Sequence, residues 1–323
     1  MTRRALLVGI NEYECAGNLS ACALDATALE GLLARNEDGS PNYACRLLTS
    51  PKECVTRSLL RQIWGELFDN FDEDILFYFS GHGTPTATGG HIVTQDATKH
   101  EPGLPMDELL LLANQSKARE VLLILDCCYS GALGNPKHLQ TPSAHTQQAY
   151  LREGVTILSA SRSTEVAYEG TNGHSVFTWL VLNALRGGAA DVRGMVSAAS
   201  IYAYVEQALG PWQQRPLYKS HADRLSPIRK CTPCVPDSLL RQLPQFFTEA
   251  DSRYQLDPSY VASSSSAKPE CVSIYQVFTQ YRDARLLKTV DGGHLYYTVM
   301  ESGAVELTQL GQLYWLLAKE NQI

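Results

Sequence analysis

Long hydrophobic runs are missing from this chain. No uninterrupted apolar stretch approaches the roughly eighteen residues that a membrane-spanning helix needs. An export signal is missing as well: Met1-Thr2-Arg3-Arg4 leads straight into a short strand-like segment, without an apolar core or a small-residue cleavage site. No membrane association and a cytoplasmic location are therefore the expectations. Positive charge is not in excess, since 27 Lys and Arg face 34 Asp and Glu for a formal net charge of −7. That argues against non-specific nucleic-acid binding, which needs a basic footprint. Disorder signals are lacking, because 44% hydrophobic and 19% charged residues are ordinary globular values. No internal repeat stands out. The 323 residues suffice for one large domain, or for one large and one small.

Cysteine is not scarce. There are nine, an odd number in a chain far longer than disulfide-framed scaffolds, and they read as free thiols of a reducing compartment. Cys231-x-x-Cys234 is a lone pair; structural zinc needs two further ligands at recognisable spacing, and Cys271 is distant. No metal site and no cofactor are expected.

The chain is organised around residues 121–131, VLLILDCCYSG. Val121 to Leu125 is an apolar run of the kind buried on both faces of a parallel sheet. It breaks at Asp126-Cys127-Cys128-Tyr129-Ser130-Gly131, where the carboxyl end of a strand presents its residues to a crevice. Residues 74–83, DILFYFSGHG, have the same form and break at Ser80-Gly81-His82-Gly83. Side by side, the two strands would carry a thiol nucleophile and its base. Side chains alternate along a strand, so Ser80 and His82 would share a face, as would Asp126 and Cys128. Cys127 would point the other way.

The pair SGHG and D-x-C-x-S-G resembles the caspase-like cysteine peptidases, and within them the metacaspase and prokaryotic caspase-homologue branch. The resemblance spans roughly residues 3–230, about seventy per cent of the chain. It implies Cys128 as nucleophile and His82 as general acid and base. The Gly83 and Cys128 backbone N–H groups would form an oxyanion hole. The plainer alternative is a structural His and an inert buried Cys. The resemblance also implies an acidic pocket for Arg or Lys before the scissile bond, lined at Cys22, Asp25, Ser80 and Asp126; arginine can bind such a carboxylate with two parallel bonds. Asp25 has a competing role as an N-cap or first-turn carboxylate, and Asp126 as a strand-end carboxylate holding loop amides. Aspartate-cleaving caspases carry another nucleophile motif, so Asp specificity is excluded. Many metacaspases have His directly after the nucleophile; Tyr129 stands there, which favours a bacterial caspase homologue. Calcium dependence, a property of several metacaspases, is left open.

The expected fold is α/β, a caspase-like, mostly parallel sheet flanked by helices, from alternating strand and helix patterns through residue 185. Strands are expected at 5–10, 46–49, 155–160 and 214–218. Helices are expected at 19–36, from a Thr56 cap to Phe68, at 104–114, 174–185 (capped near Ser175) and 197–209. Residues 89–96 read as a hairpin arm with Gly89-Gly90 as its turn. Residues 132–153 lose all periodicity, as a functional loop does; in the family, maturation cleavage falls on this connection, where Lys137 and Arg152 are available.

The peptidase domain is expected to cover residues 1–230. Residues 231–270 read as a proline-punctuated linker with a helix at 237–249. Residues 271–323 read as a small, winged-helix-like module, with a helix at 272–287, a strand at 294–299 and a capped helix at 308–319 whose apolar face is Leu310, Leu313, Tyr314 and Leu317. From residue 272, Arg282, Arg285, Lys288 and Lys319 stand against Asp283, Asp291, Glu301, Glu306 and Glu320. No basic face results, so the module is expected to bind a partner or activating protein and not nucleic acid. The functional expectation is an endopeptidase acting on protein substrates, in regulated proteolysis such as bacterial stress or antiphage defence. Its rivals are a catalytically idle scaffold and an enzyme that cuts only its own chain after Lys137 or Arg152.

Overall fold

A computed structural model describes residues 3–86, 89–127, 151–160, 173–209, 216–222 and 226–323. Expectations that fall on Cys128, Tyr129 and Lys137, and on most of the 132–153 loop, lie outside the described residues. The chain divides into two compact units, Met1–Ala190 with Met195–Cys231, and Asp191–Gly194 with Thr232–Ile323.

In the first unit the strands are β1 (Arg3–Gly9), β2 (Tyr43–Thr49), β3 (Ile75–Ser80), β4 (Gly83–Thr86), β5 (Gly89–Ile92) and β6 (Leu104–Pro105). They continue with β7 (Val121–Asp126), β8 (Val155–Ser159), β9 (Met195–Val196), β10 (Leu217–His221) and β11 (Arg229–Lys230). Its helices are α1 (Cys22–Leu33), α2 (Arg57–Phe68), α3 (Met106–Gln115), α4 (Val176–Asn183) and α5 (Ala198–Leu209). Six strands form the central sheet in the order β10-β8-β7-β3-β1-β2. All neighbours run parallel except β10, which is antiparallel to β8. The expected mostly parallel α/β architecture is what forms.

Every residue of β3 and β7 is buried, as a strand covered on both faces requires. Alternation divides them. Phe77, Phe79, Leu123 and Leu125 pack with Leu6 and Val8 beneath α2 and α3, through Leu60, Trp64 and Leu109. Leu76, Tyr78, Leu122 and Ile124 pack with Leu7 on the other face, beneath α1, α4 and α5, through Leu29, Val181 and Val205. Each such large side chain contributes roughly 1.5–3 kcal/mol by leaving water. Thr56 caps α2 as expected, accepting from the Leu59 N–H at 3.2 Å. Ser175 caps α4, accepting from the Thr178 N–H at 3.0 Å.

Two local expectations are corrected here. Gly89 and Gly90 are not the hairpin turn; they lie in β5, opposite Thr86 and Pro85. Gly89 adopts φ +129, which a residue with a Cβ rarely reaches, so the glycine serves the strand's entry. Asp25 is the first-turn carboxylate of α1 and not its N-cap: Ala21 holds that position without a side-chain bond, and Asp25 is wholly buried.

The second unit contains α6 (Asp237–Leu240), α7 (Leu243–Phe246), β12 (Arg253–Gln255), α8 (Pro269–Asp283), β13 (Leu287–Thr289), α9 (Leu295–Met300), β14 (Ala304–Leu307) and α10 (Gln309–Lys319). Its antiparallel sheet runs β12-β14-β13. The segment read as a linker is core. Val235, Leu240, Leu243 and Phe247 are fully buried in one cluster with Phe278 and Trp315. The expected helix at 237–249 is two single turns, α6 and α7, with Pro244 at the start of the second. Residues 294–299 are not a strand: His294 caps α9, its Nδ1 accepting from the Tyr296 N–H. The apolar alternation that looked like a strand is one buried helix face, Leu295, Thr298 and Val299.

Helix α10 starts after Thr308, which accepts from the Gly311 N–H at 3.1 Å. Its inward face is Gly311, Tyr314, Trp315 and Ala318, while Leu310 and Leu313 are exposed. Close packing selects that face. A Cβ on Gly311 would lie 1.9 Å from the Leu286 carbonyl oxygen, and the Trp315 indole donates to the Phe247 carbonyl at 2.7 Å. Among the described residues no helix is long and apolar enough to cross a membrane.

Candidate active site

Strands β3 and β7 lie side by side and end level, with Ser80 opposite Asp126. The Gly81 N–H continues the ladder by donating to the Asp126 carbonyl at 3.3 Å. Cys127 is fully buried on the Phe79–Leu125 face, as alternation required, so it packs in the core. Gly81 must be glycine: a Cβ would fall 2.5 Å from the Tyr13 hydroxyl and 2.7 Å from Phe79 Cζ.

His82 is held from three sides. Its backbone N–H donates to the Tyr13 hydroxyl at 2.8 Å, and its ring packs against the Tyr13 ring with centroids 4.8 Å apart. Its Nε2 lies 2.6 Å from the Gly17 carbonyl oxygen. A carbonyl only accepts, so Nε2 carries a proton and Nδ1 is the ring nitrogen left without this bond. The loop that presents Gly17 is pinned by Asn11. The Asn11 amide donates to the Ser20 carbonyl at 3.1 Å, its side-chain oxygen accepts from the Ala23 N–H at 3.0 Å, and its carbonyl accepts from the Leu19 N–H at 2.8 Å. Burial raises the Tyr13 phenol well above its ordinary value, so it stays a neutral hydroxyl.

On the opposite face of the sheet, Asp25 and Asp126 meet at the start of α4. The Ser175 hydroxyl donates to Asp126 Oδ2, and Thr178 donates to the same oxygen at 2.7 Å. Tyr78 stands behind, 2.6 Å from Thr178 Oγ1. Asp25 Oδ2 accepts from the Ser175 N–H at 3.3 Å and from the Ser80 hydroxyl at 3.4 Å. Asp25 Oδ1 lies 2.6 Å from His174 Nδ1. Burial, and then the neighbouring Asp126, push the Asp25 carboxyl up to about 8. Burial also raises Asp126, against the two hydroxyl donors that favour its charge. Two carboxyl groups are thus kept out of water with hydroxyls around them, and their closeness disfavours charge on both at once.

The description "Caspase domain" belongs to the family model that matches residues 2–243. This chain belongs to the caspase family. Among solved structures it is similar to a Geobacter sulfurreducens protein at 19% identity and TM-score 0.53, over 72% of this chain and all of that one. It is also similar to caspase-1 from Spodoptera frugiperda at 14% identity and TM-score 0.52, over 71% of this chain and 90% of that one. At such identities the likeness is one of fold. No curated protein matches the sequence.

Within the caspase domain, Gly83 begins β4 opposite Ile92. The Val93 N–H donates to the His82 carbonyl at 3.0 Å, which makes His82–Val93 a hydrogen-bonded pair. Antiparallel pairing alternates, so Gly83–Ile92 is a non-bonded pair and the Gly83 N–H points away from β5. Pro85, which has no N–H, takes the next such position. Cys22 is buried one turn before Asp25 in α1. Arg152 has a structural task. Its guanidinium donates to the carbonyls of Ala113 (3.1 Å), Ala118 (2.7 Å) and Glu153 (2.5 Å) and to the Ser116 hydroxyl (3.0 Å). It thereby satisfies the end of α3, and its extraction as a cleavage site would break all of these bonds.

Four groups at the site escaped the sequence reading. Tyr13 and Gly17 touch His82 across 69 and 65 residues, and nothing in their surroundings marks that contact. His174 touches Asp25 across 149 residues. Thr178 carried a faint signal: it lies one turn inside a helix already read as capped at Ser175, where an inward hydroxyl interrupts an apolar face.

Proposed function

We propose that this chain, which carries a cysteine-protease-type fold, is an endopeptidase that hydrolyses peptide bonds after Arg, less often Lys. Cys128 is the nucleophile: its thiolate attacks the peptide carbonyl, and the His82 imidazolium gives its proton to the leaving amine. The Gly83 and Cys128 N–H groups stabilise the tetrahedral oxyanion. The Asp25–Asp126 pair, with Ser80 and Cys22 beside it, receives the basic side chain. The observation that carries the reading is the level ending of β3 and β7 at Ser80 and Asp126. The motif containing His82 leaves one strand where the motif containing Cys128 leaves its neighbour. The ring orientation of His82 supports it, because Nδ1 is the nitrogen left without the Gly17 bond.

The departure at Tyr129 favours a bacterial caspase homologue over a metacaspase proper, with regulated proteolysis in stress or antiphage defence as its setting. A role for the C-terminal unit in recruiting a protein partner is consistent with Tyr297 and Leu313 standing exposed on α9 and α10.

The test is turnover of fluorogenic peptides ending in Arg, Lys or Asp by the wild type and by Cys128→Ala. Arg-directed turnover that vanishes with Cys128→Ala is the expected result. Turnover of the Asp peptide, or Arg turnover that survives the substitution, would overturn the reading. If all three peptides are inert, an arginine chloromethylketone decides: alkylation of Cys128 identifies a competent site, and its absence identifies a latent enzyme or a scaffold.

A further inference from the structure

His174 has no part in the dyad, yet it makes a 2.6 Å contact with Asp25 in the acidic pair. Among the described residues of that cluster it is the one with appreciable access to water, its side chain being 16% exposed while Asp25 is wholly buried. The remaining neighbours among the described residues are hydroxyls: Tyr78 and Ser80 on β3, and Ser175 and Thr178 at the start of α4. Formal charge reaches the pair from Asp126 on β7 and, at His174, from Arg186 after α4. Cys22, one turn earlier, and Glu30, more than a turn later, are the other titratable groups on Asp25's own helix.

We propose that His174 is a specificity-determining residue: it shares one proton with Asp25 while the pocket is empty, and that proton leaves to solvent when a basic substrate side chain binds. The proposal rests on reading the Asp25–Asp126 pair as the seat of that side chain. Oδ1 of Asp25 and Nδ1 of His174 are close enough to hold the proton between them, so the empty pair is neutral whichever atom carries it. Burial raises Asp25, which keeps the proton on the pair at neutral pH, and lowers His174, which draws that proton toward the carboxyl side. A guanidinium seated against the two carboxylates favours ionised Asp25 and disfavours an imidazolium beside it. Its arrival therefore expels the proton, and by linkage an excess of protons expels the guanidinium. A neutral side chain meets no such competition, so acidification weakens selection for Arg without affecting peptides in general.

The probe is benzamidine, a small amidinium, titrated calorimetrically into the full-length wild type in phosphate and in Tris. Heats that differ between the buffers by release of about one proton per ligand at neutral pH are expected. Affinity should rise by up to tenfold per pH unit below the midpoint of that release. His174→Gln keeps an amide that can donate to Asp25 but cannot hold the proton, so the midpoint should move to lower pH. Binding with equal heats in both buffers sinks the inference and leaves the proposed specificity standing. So does a midpoint that stays in place in His174→Gln. Failure of benzamidine to bind the wild type, together with no Arg-peptide turnover, removes the basic pocket and the inference together. Proton release by the wild type needs no variant, so a misfolded His174→Gln would not blur the result.

Discussion

Tyr13 and His82 are joined twice: the phenol oxygen accepts the His82 backbone N–H at 2.8 Å, and the two rings pack with centroids 4.8 Å apart. This couples the loop after β1 to the end of β3, and it fixes the orientation of the His82 ring.

Tyr13→Phe keeps the ring contact and removes the acceptor. An N–H left without a partner costs about 1–3 kcal/mol, here concentrated on the turn that aims the imidazole. The expected result is a roughly tenfold loss of kcat on Arg peptides with KM little changed, since the acidic pair lies on the other face of the sheet. A fall in KM affinity with kcat intact would contradict a positioning role.

The acidic pair makes stability depend on pH in an unusual direction. Folding holds the Asp25 carboxyl near 8, against about 3.9 in an unfolded chain. The folded protein therefore keeps a proton that the unfolded chain loses. Stability from this group is full below about pH 4 and drains away as pH rises toward 8. Asp25→Asn, which cannot ionise, should lose less stability than the wild type between about pH 5 and pH 8, by roughly 1–3 kcal/mol. Urea midpoints at the two pH values measure it, and parallel curves would show that Asp25 does not titrate in this range.

Arg152 closes the end of α3 by donating to three carbonyls and a hydroxyl. Arg152→Ala leaves several of those acceptors unmet, at about 2 kcal/mol or more. Thermal unfolding should show the loss. Cutting after Arg152 in the folded chain is not expected, and N-terminal sequencing of any self-cleaved fragment would check that.

Gly311→Ala tests the packing of the C-terminal unit. The new Cβ would lie 1.9 Å from a backbone oxygen of Leu286, so α10 must shift, at roughly 1–3 kcal/mol. The Trp315 indole, now bonded to the Phe247 carbonyl, would report the shift as altered fluorescence. An unchanged spectrum and melting curve would mean that the helix is not held this closely.

Patterns that repeat over a few residues were legible. The continuous apolar runs within 75–80 and 121–126 placed two strands covered on both faces, and the alternation of side chains along them turned Cys127 away from Asp126, because alternation is a property of the extended chain itself. Thr56, Ser175 and Thr308 announced their helices, because a cap satisfies N–H groups only three residues away. Short apolar stretches were less secure. HLYYTV carries aromatic and β-branched residues but folds as α9, since burial of Leu295, Thr298 and Val299 on one face outweighed strand propensity.

The sequence by itself determined the order of the main strands and helices of the caspase domain, the caspase relationship carried by His82 and Cys128 with their flanking glycines, and the acidic residues available near them. Only the tertiary structure decided that Ser80 and Asp126 stand opposite one another, that Tyr13 and Gly17 hold His82, and that His174 shares Asp25. The reason is physical. Local periodicity and capping act over a few residues of chain, whereas each of these contacts joins residues 46 to 149 positions apart. Such partners are chosen by strand register and by the burial of one face of the sheet against its helices.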